Sequence, residues 1–154
     1  MEFSDVIKNR YSCKKFSSEQ IGKDKLDAIL EAGRVAPTAK NLQEQHIYVV
    51  QSESALETID KLTPCRYNAP TVLIVAFNKN NVFTYPGDKR NSGIEDATIV
   101  ATHLMLAACN EGVDSCWINF FNPDELAKAF NLPEDEEILM LLDLGIADQT
   151  TTPL

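Results

Sequence analysis

Phe3, Val6 and Ile7, extended by Tyr11, recur at helical spacing behind Ser4, a residue suited to capping. The pattern predicts a short amphipathic helix over the first ten residues. That helix delivers Arg10 to a turn. Leu26, Ile29, Leu30 and Gly33 carry the period through a second helix, which Pro37 ends because a proline forces the preceding Ala36 out of the helical region. A loop from Pro37 to Gln45 follows. The β-branched and aromatic runs Ile47 to Val50 and Thr71 to Phe77 predict two buried strands, with Leu56, Ile59 and Leu62 marking a helix between them. Asn78 to Ser92 reads as a long loop.

The strongest periodicity lies between Gly93 and Glu111. There Ile94, Ala97, Thr98, Ala101, Leu104, Met105 and Ala108 form one face, and Gly112 supplies the stop. Ser115 to Ile118 predicts a short strand. Asn122, Pro123 and Glu125 then read as a cap, a first-turn proline and an acidic third residue, opening a helix to Phe130. The apolar run Ile138 to Leu144, closed by Gly145, predicts a central strand. Four strands interleaved with helices make a layered α+β or α/β fold, and the pattern leaves parallel and antiparallel pairing open.

A chain of 154 residues fits one domain, residues 1–154, able to bury a core without disulfides or a structural metal. The formal charge of -9 argues against nucleic acid as a partner, because phosphate backbones call for clustered Lys and Arg. No apolar run suits a signal peptide or a membrane span, so a cytoplasmic protein is expected. Cys13, Cys65, Cys109 and Cys116 form no CxxC pair and are expected to be reduced thiols. His46 and His103 have no partner at ligand spacing, so no metal site is expected.

Three segments carry candidate chemistry. Arg10, Ser12, Lys14 and Lys15 gather cations and a hydroxyl where the rest of the chain is acidic, which suits a phosphate; taken alone, the run reads first as a solvated face. Pro37-Thr38-Ala39-Lys40-Asn41-Leu42-Gln43 places a hydroxyl and two carboxamides in one loop, side chains that can read the edge of a planar heterocycle. Ser115-Cys116-Trp117-Ile118-Asn119 leaves a strand with a stacking ring and backbone N–H groups beyond it, although a lone tryptophan is commonly core.

Taken together, these segments resemble the nitroreductase family. Its Arg-x-Ser-x-(Lys/Arg), Ala-Pro-Ser-x-x-Asn-x-Gln-Pro-Trp and Gly-x-x-Ser-Cys-Trp-Ile patterns match Arg10 to Lys14, Ala36 to Gln43 and Gly112 to Ile118 in the same order. The helix carrying Asp96, Thr102, Leu104, Leu106, Ala107 and Ala108 is similar to the family's core helix.

The resemblance implies an α+β three-layer fold, with a mostly antiparallel central sheet flanked by helices. It further implies a homodimer with FMN between subunits, an NAD(P)H co-substrate, and a ping-pong transfer of hydride to a nitroaromatic, quinone or similar small acceptor. By position, Arg10, Ser12 and Lys14 would hold the phosphate and ribityl end, with Tyr11 contributing a backbone or side-chain contact. Pro37, Thr38, Ala39, Asn41 and Gln43 would cover the flavin from the partner subunit, and Cys116, Trp117, Ile118 and Asn119 would border it. A backbone N–H near Asn119 or Phe120 would donate to flavin N5, so no side chain is expected to act as the catalytic acid or base.

The chain departs from the pattern at Glu44-Gln45, where the family has Pro-Trp, and at Phe120, where a small residue is frequent. Many relatives carry a cation after the last strand; here Lys89 or Arg90 is expected to stand in for it. Two further readings are a flavin store or sensor on the same fold, and a redox-active Cys116 or Cys13.

Overall fold

The computed structural model describes residues 1–149. The two longest apolar runs, β2 (Thr71–Asn78) and β4 (Glu136–Gly145), pair antiparallel at the centre of one sheet. β1 (Gln45–Val50) and β3 (Asp114–Ile118) complete it in the order β1-β2-β4-β3, with every ladder antiparallel. The pairing that periodicity left open is thereby settled as α+β.

Alternation along the central strands creates two cores. Leu73, Val75, Phe77, Met140, Leu142 and Leu144 face a layer formed by α2 (Lys23–Arg34) and α4 (Gly93–Asn110). Val72, Ile74, Ala76, Ile138 and Leu141 face α3 (Glu53–Leu62) and α5 (Pro123–Ala129), which contribute Ile59 and Leu126. The register slips between Val75 and Ala76, leaving Leu139 as an extra residue in a β-bulge. α1 (Phe3–Asn9) lies against α4. The close approach of α2 to α4 depends on Gly33, where a Cβ would lie 2.6 Å from Leu104 Cδ2.

Several expectations change. The cap of α1 is Glu2, with no side-chain bond, instead of Ser4, which already lies inside the helix, and Tyr11 falls beyond its end. β1 is a sheet edge in which Val50 alone is fully buried, because it has a neighbour on one side only. The buried stripe of α4 is rotated from the predicted face: Ile94 is 61% exposed, whereas Asp96 and Val100 turn inward. The predicted start of α5 holds, with the Asn122 side chain accepting from the Asp124 and Glu125 amides.

Leu104 is fully buried where α2, α4 and the sheet meet. Leu104→Ala is expected to cost about 2–5 kcal/mol by lost burial and a residual cavity. Urea unfolding checks this, and an unchanged midpoint would contradict the packing.

Candidate functional site

The backbone turns extended at Arg10, and a parallel bridge joins Ser12 to Ser115 of β3. Cys13 N–H donates to the Ser115 carbonyl at 2.8 Å. Cys13 is buried in the core against α3 and α5, so strand alternation turns Ser12 and Lys14 the other way. Arg10 and Tyr11 line a cavity of about 160 Å³ with Cys109, Gly112 and Asp114. Among the described residues, neither Arg10 nor Lys14 makes an ion pair or a side-chain hydrogen bond. In a chain of net charge -9, two cations without a carboxylate partner are available to an outside anion.

The same bridge brings the third segment alongside the first. Trp117 is half-buried, and its Nε1 donates to Asn119 Oδ1 at 2.8 Å. Past Ile118, the ladder of β3 stops, and the Asn119 and Phe120 amides donate to no group among the described residues. The Phe120 carbonyl is fixed by Thr63 Oγ1 at 2.7 Å, while its ring is 73% exposed. Cys116 and Ile118 point into the core as buried residues.

The second segment lies elsewhere. Lys40, Asn41 and Gln43 all hold left-handed backbone, with φ of 55°, 55° and 50°. Such conformations cost on the order of 1 kcal/mol or more for a residue with a side chain, so the loop needs ties. Thr38 supplies two, its hydroxyl accepting from Gln43 N–H and its carbonyl from Asn41 N–H, each at 2.9 Å. Asp96 supplies another, Oδ1 accepting from Ala39 N–H at 2.9 Å. The Asn41 and Gln43 side chains remain exposed, as does Pro37. Asp96 and Cys109 stand near opposite ends of α4, roughly 20 Å apart at about 1.5 Å per residue. Within one chain, the cations and the carboxamide loop therefore face opposite ends of the same helix.

Sequence reasoning missed two acids. Glu44, joining the loop to β1, is 3% exposed, and neither carboxylate oxygen has a partner. Asp96 is equally buried, with Oδ2 unpartnered. Burial, reinforced by the neighbouring Asp96, pushes Glu44 up to about 7. The available signal was a carboxylate inside an apolar helical stripe and another where the family pattern has proline.

The thiol reading loses support. Burial first, and then the adjacent Asp143, push Cys116 up to about 11, and burial likewise raises Cys13, so both stay protonated near neutral pH. Burial drives Asp143 itself up to about 9, with Arg66 pulling the other way. Arg90 lies 4.2 Å from the Tyr85 ring centre and 3.9 Å from Glu95, at the end of α4 remote from Arg10. The stretch after β4, where the resemblance implies a cation in many relatives, runs into residues 150–154, outside the described residues.

Two cores about an antiparallel sheet define an α+β protein, in which Arg10 and Lys14, neither in an ion pair among the described residues, lie on the segment bridged to β3. The Nitroreductase family model matches residues 7–66 and 64–146, and the chain belongs to that family. A nitroreductase family protein from Clostridium difficile 630 is 32% identical, with a TM-score of 0.92 over 100% of this chain and 95% of that one. YodC of Bacillus subtilis strain 168, provisionally named an NAD(P)H nitroreductase, is 28% identical over 93% of this chain and 88% of its own. A protein from Exiguobacterium sibiricum 255-15, provisionally named a nitroreductase and solved in complex with FMN, shares the fold. Its TM-score is 0.84 at 22% identity, over 100% of this chain and 92% of that one.

Asp143 carries a stability prediction. Its folded pKa is raised from 3.8 to about 9, so the folded chain holds a proton that the unfolded chain has lost. The associated stability is complete below about pH 4 and is lost as pH rises to about 9. Between pH 7 and 9, stability from urea unfolding should fall in the wild type and fall less in Asp143→Asn; identical profiles would contradict a buried neutral acid.

Proposed function

We propose that this chain is the subunit of a cytoplasmic homodimeric FMN-dependent oxidoreductase that takes reducing equivalents from NAD(P)H and passes them to a nitroaromatic, quinone or similar flat acceptor by a ping-pong cycle. The observation that carries this reading is the pairing of unpartnered Arg10 and Lys14 with the free Asn119 and Phe120 amides across the Ser12–Ser115 bridge. One end of that surface suits a phosphate, and the other suits a hydrogen-bond acceptor on a flat ring.

Arg10, Ser12 and Lys14 would hold the FMN phosphate and ribityl chain. Tyr11 would contribute its backbone, because burial first, and then the neighbouring Asp114 and Cys13, hold its hydroxyl protonated, pushed up to about 12. Cys116, Trp117 and Ile118 would hold the strand in place, and the Asn119 or Phe120 N–H would donate to the flavin edge. When bound, FMN supplies two-electron transfer between NAD(P)H and the acceptor. No side-chain acid or base is needed for that exchange.

The separation of the two segments along α4 supports a site completed by a second copy, whose Pro37, Thr38, Ala39, Asn41 and Gln43 would cover the flavin. An apolar groove of about 470 Å³, lined by Met1, Phe3, Val6, Ala32, His103 and Leu106, supplies a surface for that contact. Phe3 is 68% exposed, and Ile7, Val35 and Ile94 are also exposed. A two-fold dimer would use the same patch on both subunits. No helix among the described residues is long and apolar enough to cross a membrane.

A flavin store on the same scaffold is the second reading, favoured by the exposed Phe120 ring beside the free amides. Anaerobic mixing with NADH or NADPH separates the two, since bleaching of the bound flavin marks the enzyme and its absence marks the store.

Arg10→Ala should weaken FMN by roughly 1.5–3 kcal/mol, the worth of a charge-assisted hydrogen bond. Titration of apoprotein with FMN measures this, and equal affinity in the variant would remove Arg10 from the site.

A further inference from the structure

The buried acid pair beneath the loop has no role in the cycle above. Asp96 divides its carboxylate: Oδ1 takes the Ala39 amide at 2.9 Å, and Oδ2 lies buried without a partner. Both Glu44 oxygens are also buried and unpartnered. Two ionised carboxylates side by side out of water repel each other and leave lone pairs unsatisfied, whereas a single proton between them relieves both defects. Asp96 is the neighbouring carboxyl that, after burial, raises Glu44.

We propose that a proton held by Glu44 against Asp96 clamps the Pro37–Gln43 loop in its flavin-covering shape, and that the grip on FMN weakens when alkali removes that proton. Glu44 thus acts as a positioning residue that touches no ligand itself. The inference rests on the loop being part of the flavin site.

The geometry gives the proton leverage over the loop. Asp96 fixes the loop at Ala39, and Glu44 ends it, its carbonyl accepting from Asn78 N–H at 2.9 Å. Between these points lie the three left-handed residues Lys40, Asn41 and Gln43, a costly conformation that the two ends hold together with the bonds to Thr38. An ionised Glu44 would push against Asp96 and draw water to the junction.

Other charged groups nearby are directed elsewhere. On α4, Glu95 is engaged by the Tyr85 hydroxyl and Arg90. Lys40 on the loop is exposed, and β2 brings the neutral Asn78 and Phe77. His46, two residues along β1, pairs with Glu136 at 2.9 Å. Asp96 is the ionisable group acting on Glu44, and burial plus Asp96 place the transition at about 7. Because the folded value lies above the ordinary 4.5, stability linked to Glu44 is complete below about pH 4.5 and is lost by about pH 7.

The test compares wild type with Glu44→Gln, whose amide mimics the protonated acid and still donates to Asp96. FMN is titrated into each apoprotein from pH 6 to 8, and apoprotein melting is followed from pH 4.5 to 8. FMN's own phosphate titrates near about 6 in both proteins, so the difference between them is the readout. Wild-type Kd should rise over this range by roughly fivefold or more relative to the variant. Wild-type melting should also fall toward pH 7 more steeply than that of Glu44→Gln. Parallel profiles in both measurements would overturn the proposal. If neither protein binds FMN at any pH, the flavin reading fails, while the melting comparison still reports on the proton. Should Glu44→Gln not fold, infrared titration of wild-type protein decides: a protonated-carboxyl band lost near pH 7 supports the shared proton, and no such band overturns it.

Discussion

α4 packs against α2 and the sheet, and its two ends border the two halves of the proposed site. Asp96 in its first turn holds Ala39 of the carboxamide loop, and Cys109 in its last turn lines the cavity that contains Arg10. A buried helix does not shorten or bend cheaply, because its side chains are close-packed on several sides. The separation of loop and cations is thus a property of the core. Any ligand that needs both must draw them from two copies of the chain or adopt a different pose.

The chemistry at each end follows from what the fold leaves unsatisfied. β3 stops at Ile118, so the next amides lack ladder partners, and the extended segment after α1 carries Arg10 and Lys14, neither of which makes an ion pair among the described residues. The opposite end of α4 presents the reverse case, an acid pair kept dry beneath a strained loop. In the proposed site, the binding cations carry no ion pair, whereas the positioning acids are buried and would share a proton. On that proposal, affinity lies in the cations and ligand geometry in the loop.

How much of this could be read along the chain depended on how local each cause is. The start of α5 was legible because Asn122 caps amides two and three residues away. β2 and β4 were legible because strands covered on both faces read as near-continuous apolar runs, broken within that of β4 by Asp143. The edge status of β1 was not, since it depends on the absence of a neighbour, and the outward turn of Ile94 depends on which side of α4 the sheet takes. The motifs near Arg10, Asn41 and Trp117 were legible as a family resemblance, but the bridge that joins the first to the third, and the helix that separates both from the second, are tertiary facts. Glu44 was visible only as a departure from the pattern, and its burial beside Asp96 required coordinates.

The central claim is that one flavin is held by the cations of one subunit and the loop of another, and subunit mixing tests it most directly. Arg10→Ala and an Asn41→Ala, Gln43→Ala loop variant, each defective in FMN binding as a homodimer, are unfolded together, refolded as a mixture and titrated with FMN. A shared site predicts that mixed dimers regain one intact site in two, so about a quarter of all sites in a random mixture bind with wild-type affinity. A mixture that binds no better than its two parents would place both halves of the grip on one chain and contradict the account.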